Sequence, residues 1–367
     1  MADPSSINRE EGLPRLPVVD EADAGGDPAA GAHRFSVAPM MDYTDRHFRV
    51  LMRQISRRCL LYTEMVVAQA VHHCQQEASR GDPRSRQRLE RLLGFDGSEH
   101  PLALQLGGDD PELLAEATRI AADRGYDEVN LNVGCPSEKV QKGRFGACLM
   151  ADPEQVARCI AAMAAASPLP VTVKHRIGID ERDSYAELLS FVDTLASAGA
   201  RRFSVHARKA WLEGLDPKQN RTIPPLRHDL VHQLKRDRPG LTIELNGGLE
   251  NLETCRQHLL ELDGVMVGRA AYDHPLRWAE VDRQIFAERD RPVAQASTVV
   301  RGLVPYAERW CSSGGRLWSV ARHLVQLVEG VSGARHWRRD LGRAAGERNA
   351  GAEVLMQAAE QLEERGL

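Results

Sequence analysis

Long hydrophobic runs are absent from this chain of 367 residues. No apolar stretch approaches the roughly 20 residues that a helix needs to cross a bilayer. The N-terminus also lacks the basic segment and apolar core of a secretory signal. These absences predict a protein of the cytoplasm with no membrane contact. Residues 1–32 lack hydrophobic periodicity as well, and their abundance of Ala, Asp, Gly and Pro predicts a disordered leader.

Cysteine is scarce and scattered. The seven cysteines are odd in number, and their spacing excludes a disulfide framework. No CxxC pair or Cys/His spacing indicates zinc. His72, His73 and Cys74 adjoin one another, but neighbouring side chains rarely converge on one ion, and no further ligand lies at a useful spacing. We therefore expect a reducing compartment and no bound metal, and nothing in the sequence indicates an obligate protein partner.

A strong net charge is also absent, because 48 Lys and Arg oppose 52 Asp and Glu to give −4. This balance hides an uneven distribution. Residues 1–32 carry seven acids and two arginines, a local charge of −5, whereas residues 291–348 carry ten arginines and four acids, a local charge of +6. A localised arginine-rich surface is typical of nucleic-acid binding, although arginines on helices are often merely solvated.

Short apolar segments alternate with longer amphipathic ones from residue 34 onward. The predicted strands are 34–39, 60–64, 101–106, 127–132, 170–175, 202–206, 241–245 and 263–267. The predicted helices include 45–56, 111–124, 152–166, 184–198, 226–237 and 250–259. Eight strands that alternate with helices predict an α/β fold, a parallel (β/α)8 TIM barrel over residues 33–284. A doubly wound open sheet is the alternative, less favoured because no GxGxxG motif follows the first strand.

The strand pattern stops near residue 285. The remaining residues predict a small C-terminal helical domain over 285–367, with helices at 295–311, 316–330, 335–345 and 350–366. Between the second and third predicted strands, residues 75–97 are polar, arginine-rich and long for a barrel connection. This segment is either a surface insertion or a partner contact, and the surface insertion is favoured.

Two glycine-containing turns follow the last two predicted strands, at the face where barrel enzymes carry their active sites. These turns contain Asn246, Gly247, Gly248, Gly268 and Arg269. Loops at these positions commonly hold a phosphate through backbone N–H groups, and an arginine adds a charge-assisted contact. Asn-Gly-Gly is also an ordinary turn, but its pairing with Gly-Arg at the next strand end favours phosphate binding.

Three other polar residues lie at the same predicted face. Lys174 can stabilise negative charge on a reduced cofactor, or it can form a structural ion pair. Gln105 can hydrogen-bond to a flat heterocycle, although such a residue is often solvated. His206 can bind phosphate or a ring oxygen, but a lone histidine is more often a satisfied core residue.

Cys135 is the sharpest single candidate. It follows a predicted strand in a Gly-Cys-Pro turn, which restricts its backbone. Most cysteines behave as small buried hydrophobic residues, and we assign that role to Cys59, Cys148, Cys159 and Cys255. The loop position sets Cys135 apart from them.

Several long motifs carry a resemblance to a known family. The most specific are YDEVNLNVGCPSEKVQKGRFGACLM at 126–150 and HARKAWLEGLDPKQNRTIPPL at 206–226. Further matches are RFSVAPMMDYTDRHFR at 34–49, LLYTEMV at 60–66, LALQLGG at 102–108, VTVKHRIGID at 171–180, NGG at 246–248, DGVMVGRAAY at 263–272 and GARHWRR at 333–339. From about residue 34 to at least residue 340, the chain resembles the tRNA-dihydrouridine synthases, and specifically their A subgroup. The leader and residues 75–97 fall outside this resemblance.

The resemblance implies FMN as cofactor, NADPH as reductant and transfer RNA as substrate. The residues that it implies for the flavin are Pro39, Met40, Met41, Gln105, Lys174, His206, Asn246, Gly247, Gly248, Gly268 and Arg269. It makes Cys135 the proton donor. The residues that it implies for holding tRNA are Asn132, Lys218, Arg221, Arg335 and Arg338. The helical domain would then bind tRNA, and the reaction would convert uridine to dihydrouridine at positions 20 and 20a of the D-loop.

The implied chemistry suits these residues. The carbon 5–carbon 6 bond of uracil is conjugated with a carbonyl group, so carbon 6 can accept hydride from reduced FMN and carbon 5 then needs a proton. A thiol is mostly protonated at neutral pH and can give that proton without activation. A positive Lys174 would stabilise the reduced flavin. The uridine must be flipped out of the folded RNA, which requires a grip on phosphates.

Two other functions stay open at this stage. A flavoenzyme acting on a small pyrimidine or another unsaturated metabolite would use the same cofactor chemistry, but it gives no reason for an arginine-rich helical domain. A barrel that has lost catalysis and serves as an RNA-binding or folding factor is the second. The presence of Cys135, Lys174 and the phosphate-site residues argues against it.

Overall fold

The computed structural model describes Leu16 and residues 31–367. Apart from Leu16, Gly31 and Ala32, the predicted disordered leader at 1–32 lies outside the described residues. Ala32 is buried and begins a short 3-10 helix, Ala32–Arg34, directly before the first strand. Ala32, which the prediction placed in the leader, therefore packs with the folded residues.

All strands belong to one parallel sheet. They are β1 (Phe35–Val37), β2 (Leu60–Tyr62), β3 (Val66–Val67), β4 (Leu102–Gly107), β5 (Glu128–Val133), β6 (Val171–Arg176), β7 (Arg202–His206), β8 (Thr242–Asn246) and β9 (Gly264–Val267). The order is β2-β1-β9-β8-β7-β6-β5-β4, and a further pairing of β2 with β4 closes the ring. The predicted TIM barrel is confirmed, and the open-sheet alternative is wrong because both edges are paired.

The second barrel strand is interrupted. β2 and β3 both pair with β4, with Tyr62 opposite Ala103 and Val66 opposite Leu106. From Tyr62 to Val66 the chain advances four residues, whereas β4 advances only three from Ala103 to Leu106. The β2–β3 side therefore contains one extra residue, which is the signature of a bulge. The bulge turns Glu64 and Met65 out of the ladder at the carboxyl end of the barrel, where active-site residues collect.

Helices cover the outside of the barrel. They are α1 (Arg46–Ile55), α2 (Ala68–Ser79), α3 (Pro83–Leu93), α4 (Pro111–Arg124), α5 (Glu138–Lys142), α6 (Pro153–Ala166), α7 (Tyr185–Ser197), α8 (His228–Asp237), α9 (Leu252–His258), α10 (Arg269–Asp273) and α11 (Val281–Gln284). Local capping sets several starts. The Asp152 carboxylate accepts from the backbone N–H of Gln155, with Pro153 in the first turn, as the sequence predicts.

Residues 75–97 form a surface feature built from the end of α2 and from α3. Leu89 and Leu93 of α3 are buried, whereas its arginines face solvent. One apolar side and one charged side are what a helix packed on the outside of a domain requires. The segment is therefore helical rather than an irregular loop.

Beyond the barrel lie four more helices, namely α12 (Ala296–Ser312), α13 (Leu317–Ala321), α14 (Ala334–Gly346) and α15 (Glu353–Glu363). The predicted helix at 316–330 is wrong beyond Ala321. The chain continues in a 3-10 helix, Arg322–Leu324, and then in turns up to Gly330. The side chains of Arg322 and His323 turn toward the barrel here, so tertiary contacts override the local helical periodicity.

The helical unit docks on α1 and on the loop that precedes it. The Tyr306 hydroxyl lies 2.7 Å from His47 Nδ1, and Arg322 donates to Asp45 over 2.6 Å. His323 Nε2 lies 3.0 Å from the other oxygen of Asp45. Asp45 also caps α1 by accepting from the backbone N–H of Phe48. One carboxylate thus fixes both the first barrel helix and the helical unit.

A buried ion pair supports the same loop. Arg49 Nε lies 2.5 Å from Glu99 Oε2, and both side chains are almost fully buried. Arg49 also donates to the carbonyl oxygen of Thr44 over 2.8 Å. The almost fully buried side chain of Arg49 therefore holds the loop that follows β1 in place.

We expect Glu99→Ala to lower the free energy of unfolding by about 3–5 kcal/mol, because it leaves the Arg49 charge buried without its partner. Glu90→Ala is the matched control. Glu90 pairs with Arg124 over 3.0 Å, but its side chain is 57% exposed, so its loss should cost about 1 kcal/mol or less. Denaturant unfolding followed by circular dichroism compares the two variants, and equal losses would contradict this account.

Candidate active site at the mouth of the barrel

A cavity of about 1030 Å³ opens at the carboxyl ends of the barrel strands. It brings together most residues that the sequence analysis selected. Those that line it are Pro39, Met40, Met41, Gln105, Asn132, Cys135, Lys174, His206, Arg221, Asn246, Gly247, Gly248, Gly268 and Arg269. Lys218, Arg335 and Arg338 do not line it.

The loop after β5 presents Cys135 at the cavity wall. Asn132 Oδ1 accepts from the backbone N–H groups of Gly134 over 3.2 Å and Cys135 over 3.0 Å. The carbonyl oxygen of Cys135 in turn accepts from Ala147 N over 2.9 Å. Gly146 permits this approach, because its φ is +77° and a Cβ atom there would lie 2.5 Å from that carbonyl oxygen. The half-buried thiol is therefore held on a fixed backbone.

Arg176 ties three loops together, and the sequence analysis did not select it. Its guanidinium is buried and donates to the carbonyl oxygens of Gly134 over 2.9 Å and of Lys209 and Asn220 over 3.0 Å each. Burial lowers the pKa of Arg176 to about 10. The signal was available in the sequence, since Arg176 stands two residues after Lys174 on β6 and so points to the same face.

The interior of the barrel is polar along four consecutive strands. Every second residue of β5, β6, β7 and β8 points inward, and these are Glu128, Asn130, Asn132, Thr172, Lys174, Arg176, Arg202, Ser204, His206, Thr242, Glu244 and Asn246. Barrel interiors are usually filled with branched apolar side chains. Alternation of polar and apolar residues on these strands is visible in the sequence and could have predicted this interior.

Hydrogen bonds join these inward residues. Gln105 Nε2 donates to Asn130 over 2.7 Å, and Asn130 donates to Thr172 over 2.9 Å. Asn132 Nδ2 donates to Gln105 Oε1 over 2.9 Å. Below them Arg202 bridges the carboxylates of Glu128 and Glu244. The amide of Gln105 is therefore oriented by partners on both sides before any ligand enters.

Lys174 is a half-buried cation without an ion pair among the described residues. Its Nζ donates to Asn246 Oδ1 over 3.0 Å. Burial lowers the pKa of Lys174 to about 8, and the charge of Arg176 acts in the same direction. The structural ion pair considered from the sequence does not form, so the ammonium group stays available to a ligand.

His206 lines the cavity, and its Nδ1 is buried without a well-aligned hydrogen bond within the described protein, although the backbone of Arg208 lies close enough to interact with the ring. Burial, together with the charges of Arg176 and Lys174, lowers the pKa of His206 well below its usual value, so the ring is neutral at pH 7. Because His206 lines the cavity, this buried nitrogen is placed where it can meet a ligand atom.

The turn after β8 brings bare backbone to the cavity. Gly247 and Gly248 have φ values of +105° and +75°, which L side chains rarely adopt. A Cβ atom at Gly248 would lie 2.5 Å from Leu226 Cδ1. His228 holds the turn from behind, with Nε2 2.8 Å from the carbonyl oxygen of Gly247. The sequence analysis missed this supporting role of His228.

Three arginines crowd the same wall. Burial lowers the pKa values of Arg208 and Arg221, and the charge of Arg269 lowers both further. The Nε atom of Arg221 is buried without a hydrogen-bond partner. Together with Lys174 and Arg176, this excess of desolvated positive charge suits an anionic ligand such as a phosphate.

The remaining basic candidates lie outside the cavity. Lys218 is exposed next to Pro217, which lines the cavity. Arg335 and Arg338 are exposed on α14 and form no ion pair within residues 31–367. Glu329 lies 2.9 Å from His274, another lining residue, and six residues of chain span at most about 20 Å. Arg335 is therefore within about 20 Å, along the backbone, of Glu329, whose side chain contacts the cavity rim.

Within the described residues, no cluster of three or more His, Cys, Asp and Glu side chains has the arrangement of a metal site. Across the same residues, no helix is long and apolar enough to span a membrane. The seven cysteines are free thiols.

Comparison with known proteins identifies relatives over almost the whole barrel and helical unit. A family model described as Dihydrouridine synthase (Dus) matches residues 36–363. A tRNA-dihydrouridine(20/20a) synthase from Synechocystis sp. is 54% identical over 323 residues, 88% of this chain and 92% of that protein. The proteins of that name from Shewanella oneidensis and Escherichia coli K12 are 52% and 50% identical, covering 88% and 89% of this chain and 91% and 90% of theirs. An old yellow enzyme homologue from Zymomonas mobilis overlaps weakly, with a TM-score of 0.44 at 12% identity over 72% of this chain and 92% of its own.

We expect Lys174→Met to stabilise the cofactor-free protein at pH 7, by about 3 kcal/mol at most. A pKa near 8 in the fold, against 10.5 for an unperturbed lysine, means that the unfolded chain binds the proton more tightly between these values. The loss of folding stability caused by the Lys174 charge is therefore largest below pH 8, and it decreases as the pH rises toward 10.5. Chemical unfolding at pH 7 and pH 10 measures the gain, which should shrink at pH 10. The control is Lys235→Met, which removes an ion pair with Asp263 and should give no gain at either pH.

Proposed function

The chain belongs to the dihydrouridine synthase family, and we propose that it reduces uridine to dihydrouridine at positions 20 and 20a in the D-loop of transfer RNA. The positions are those named for its relatives from Synechocystis and Shewanella oneidensis. The observation that carries the proposal is one cation-lined cavity that holds both a loop-borne thiol, Cys135, and an unpartnered nitrogen, His206 Nδ1. The site serves a reaction that needs a proton donor next to a bound anionic cofactor.

FMN fits the residues of the cavity. Gln105 and the segment Pro39–Met41 would face the flavin ring, with Lys174 and His206 at its polar edge. The turn at Asn246–Gly248, with Gly268 and Arg269, would hold the phosphate. Support comes from the unpartnered His206 nitrogen, the glycine backbone and the arginine excess. When bound, FMN supplies the two electrons that the uracil double bond receives, and NADPH is the proposed source of those electrons.

Cys135 is the proposed proton donor to carbon 5 of the uracil ring. Its backbone is fixed by Asn132, so the thiol needs no rearrangement to reach a base that lies in the cavity. Lys174, Arg176 and Arg221 lie within electrostatic range of its sulfur. The negative charge that remains on the Cys135 sulfur after proton donation therefore lies near three cationic side chains. These cations also attract the RNA backbone.

The proposed grip on transfer RNA combines the cavity wall with the helical unit, residues 285–367. Arg221 stands at the cavity and Lys218 beside it, whereas Arg335 and Arg338 extend from α14. Such contacts to phosphate hold an RNA irrespective of its sequence while one base is flipped inward. Asn132 gives one amide hydrogen to Gln105 and keeps the other for the substrate. The proposed compartment is the cytoplasm, where transfer RNA and reduced thiols occur together.

The decisive measurement is nucleoside mass spectrometry of tRNA from cells that lack this gene, complemented with wild type, Cys135→Ala or Cys148→Ala. We expect wild type and Cys148→Ala to restore dihydrouridine in D-loop fragments, and Cys135→Ala to fail. Cys148 is a matched control, since it is also half-buried in the same loop region but outside the cavity lining. If the deletion leaves the dihydrouridine content of tRNA unchanged, tRNA is not the substrate. A flavoenzyme that acts on small molecules then becomes the favoured interpretation. A purified protein without flavin would instead favour a non-catalytic RNA-binding factor.

We expect Arg335→Ala and Arg338→Ala each to weaken tRNA binding without loss of FMN, because each removes one phosphate contact. The slope of log affinity against log salt should fall by about 1 per arginine. Filter binding across a salt series measures this slope. Arg236→Ala serves as control, since Arg236 lies on the outer helix α8 and pairs with Glu261 over 3.5 Å. An unchanged slope for both α14 variants would refute the proposed contact.

A further inference from the structure

The loop Met40–Thr44, here called the rim loop, carries two large side chains that are exposed to solvent. Met41 is 53% exposed and Tyr43 is 41% exposed, and both line the cavity. Asp42 between them has a φ of +67°, which is strained for a residue other than glycine, and its N–H donates to Glu64. Strain of this kind persists where the surrounding structure holds it, and it concentrates at functional sites.

The rim loop is rigid as well as strained. The backbone N–H groups of Tyr43 and Thr44 donate to the carbonyl oxygen of Met40 over 3.1 and 3.0 Å. The Thr44 hydroxyl accepts from the N–H of Met40 over 2.9 Å. These bonds close the loop on itself, so its exposed side chains project from a fixed backbone.

The ring of Tyr43 rests on a column of aromatic side chains. It meets Tyr272 edge-on, with ring centroids 4.6 Å apart. Tyr272 packs in turn against Phe48 at 5.1 Å and against His323 of the helical unit at 5.7 Å. Such aromatic pairs stabilise a defined geometry. Tyr272 therefore braces the Tyr43 ring, which remains partly exposed at the cavity entrance.

Positive charge lies opposite this ring. Tyr43 is within electrostatic range of Arg221, whose Nε has no partner. Arg208 and Arg269 add charge to the same wall. An exposed rigid aromatic ring beside unpaired arginines is the combination with which proteins hold unpaired nucleotides, because bases stack on the ring and phosphates meet the cations.

We propose that Tyr43, with Met41 beside it, is a stacking platform for the base of a nucleotide that adjoins the reacting uridine. This inference rests on the proposed function and adds to it a contact that selects unstacked RNA. A base flipped into the cavity leaves its neighbours without a stacking partner, and the Tyr43 ring at the entrance replaces that partner. Arg221 takes the phosphate between the two nucleotides. The platform is thus a positioning site for substrate, separate from the proton donor.

The test is tRNA affinity of the flavin-loaded enzyme without NADPH, using unmodified transcripts and transcripts with an abasic nucleotide directly 5′ or 3′ of the target uridine. The variants are Tyr43→Phe, Tyr43→Trp and Tyr43→Leu. Tyr185→Leu is the control, because Tyr185 lies on α7 outside the cavity lining. Stacking on an aromatic ring is worth about 1–3 kcal/mol per base, so Tyr43→Leu should weaken binding about fivefold to 150-fold. Phe, Trp and the control should stay within about twofold of wild type.

One abasic transcript identifies the stacked base. With it, wild type and Tyr43→Leu should bind equally, whereas the other abasic transcript should preserve the difference between them. Equal affinity of wild type and Tyr43→Leu for the unmodified transcript would overturn the proposal. So would an equal loss in Tyr43→Phe, which would assign the effect to the hydroxyl, or a loss of flavin with normal tRNA affinity, which would assign Tyr43 to the cofactor. If wild type itself neither binds tRNA nor forms dihydrouridine, the proposed function fails, and the platform with it.

Discussion

The polar interior of the barrel is the constraint on which the rest of the site depends. Arg202 bridges Glu128 and Glu244 at the lower level, and amides and hydroxyls link this layer to Gln105 above it. Each buried polar group must find its partner, since an unpaired one is costly in a low-dielectric interior. The lower layer meets that requirement through the ion pairs of Arg202 with Glu128 and Glu244. The top layer does not, and that difference makes the mouth of the barrel a binding site.

The unsatisfied groups at the mouth share one electrostatic character. Lys174 has no ion pair, His206 is neutral with a bare nitrogen, and Arg221 has an unpartnered Nε. A protein selected for stability alone would not bury so much positive charge without direct ion pairs. The arrangement is consistent with a site completed by anions. It also links cofactor and substrate, because the phosphates of both would share the same arginine-rich wall.

The helical unit belongs to this site through contacts rather than through proximity in sequence. Asp45 caps α1 and accepts a hydrogen bond from Arg322. Tyr272 contacts both His323 of the helical unit and Tyr43 at the cavity entrance. Movement of the helical unit would therefore displace residues at the cavity entrance. The long separation along the chain, 277 residues between Asp45 and Arg322, explains why no local pattern could have revealed the link.

The sequence by itself determined the barrel and the helices that follow it, and most of the site residues that it indicated line the cavity. Strand and helix periodicity, capping residues such as Asp152 and the polar ends of parallel strands are local signals, and barrel closure brings all strand ends to one face. Only the tertiary structure decided which polar groups are satisfied. It showed Arg176 clamping three loops, His228 supporting the glycine turn, the early end of α13, and Tyr43 braced at the entrance. Each of these depends on partners distant in sequence, whose approach is fixed by packing and not by any neighbouring residue.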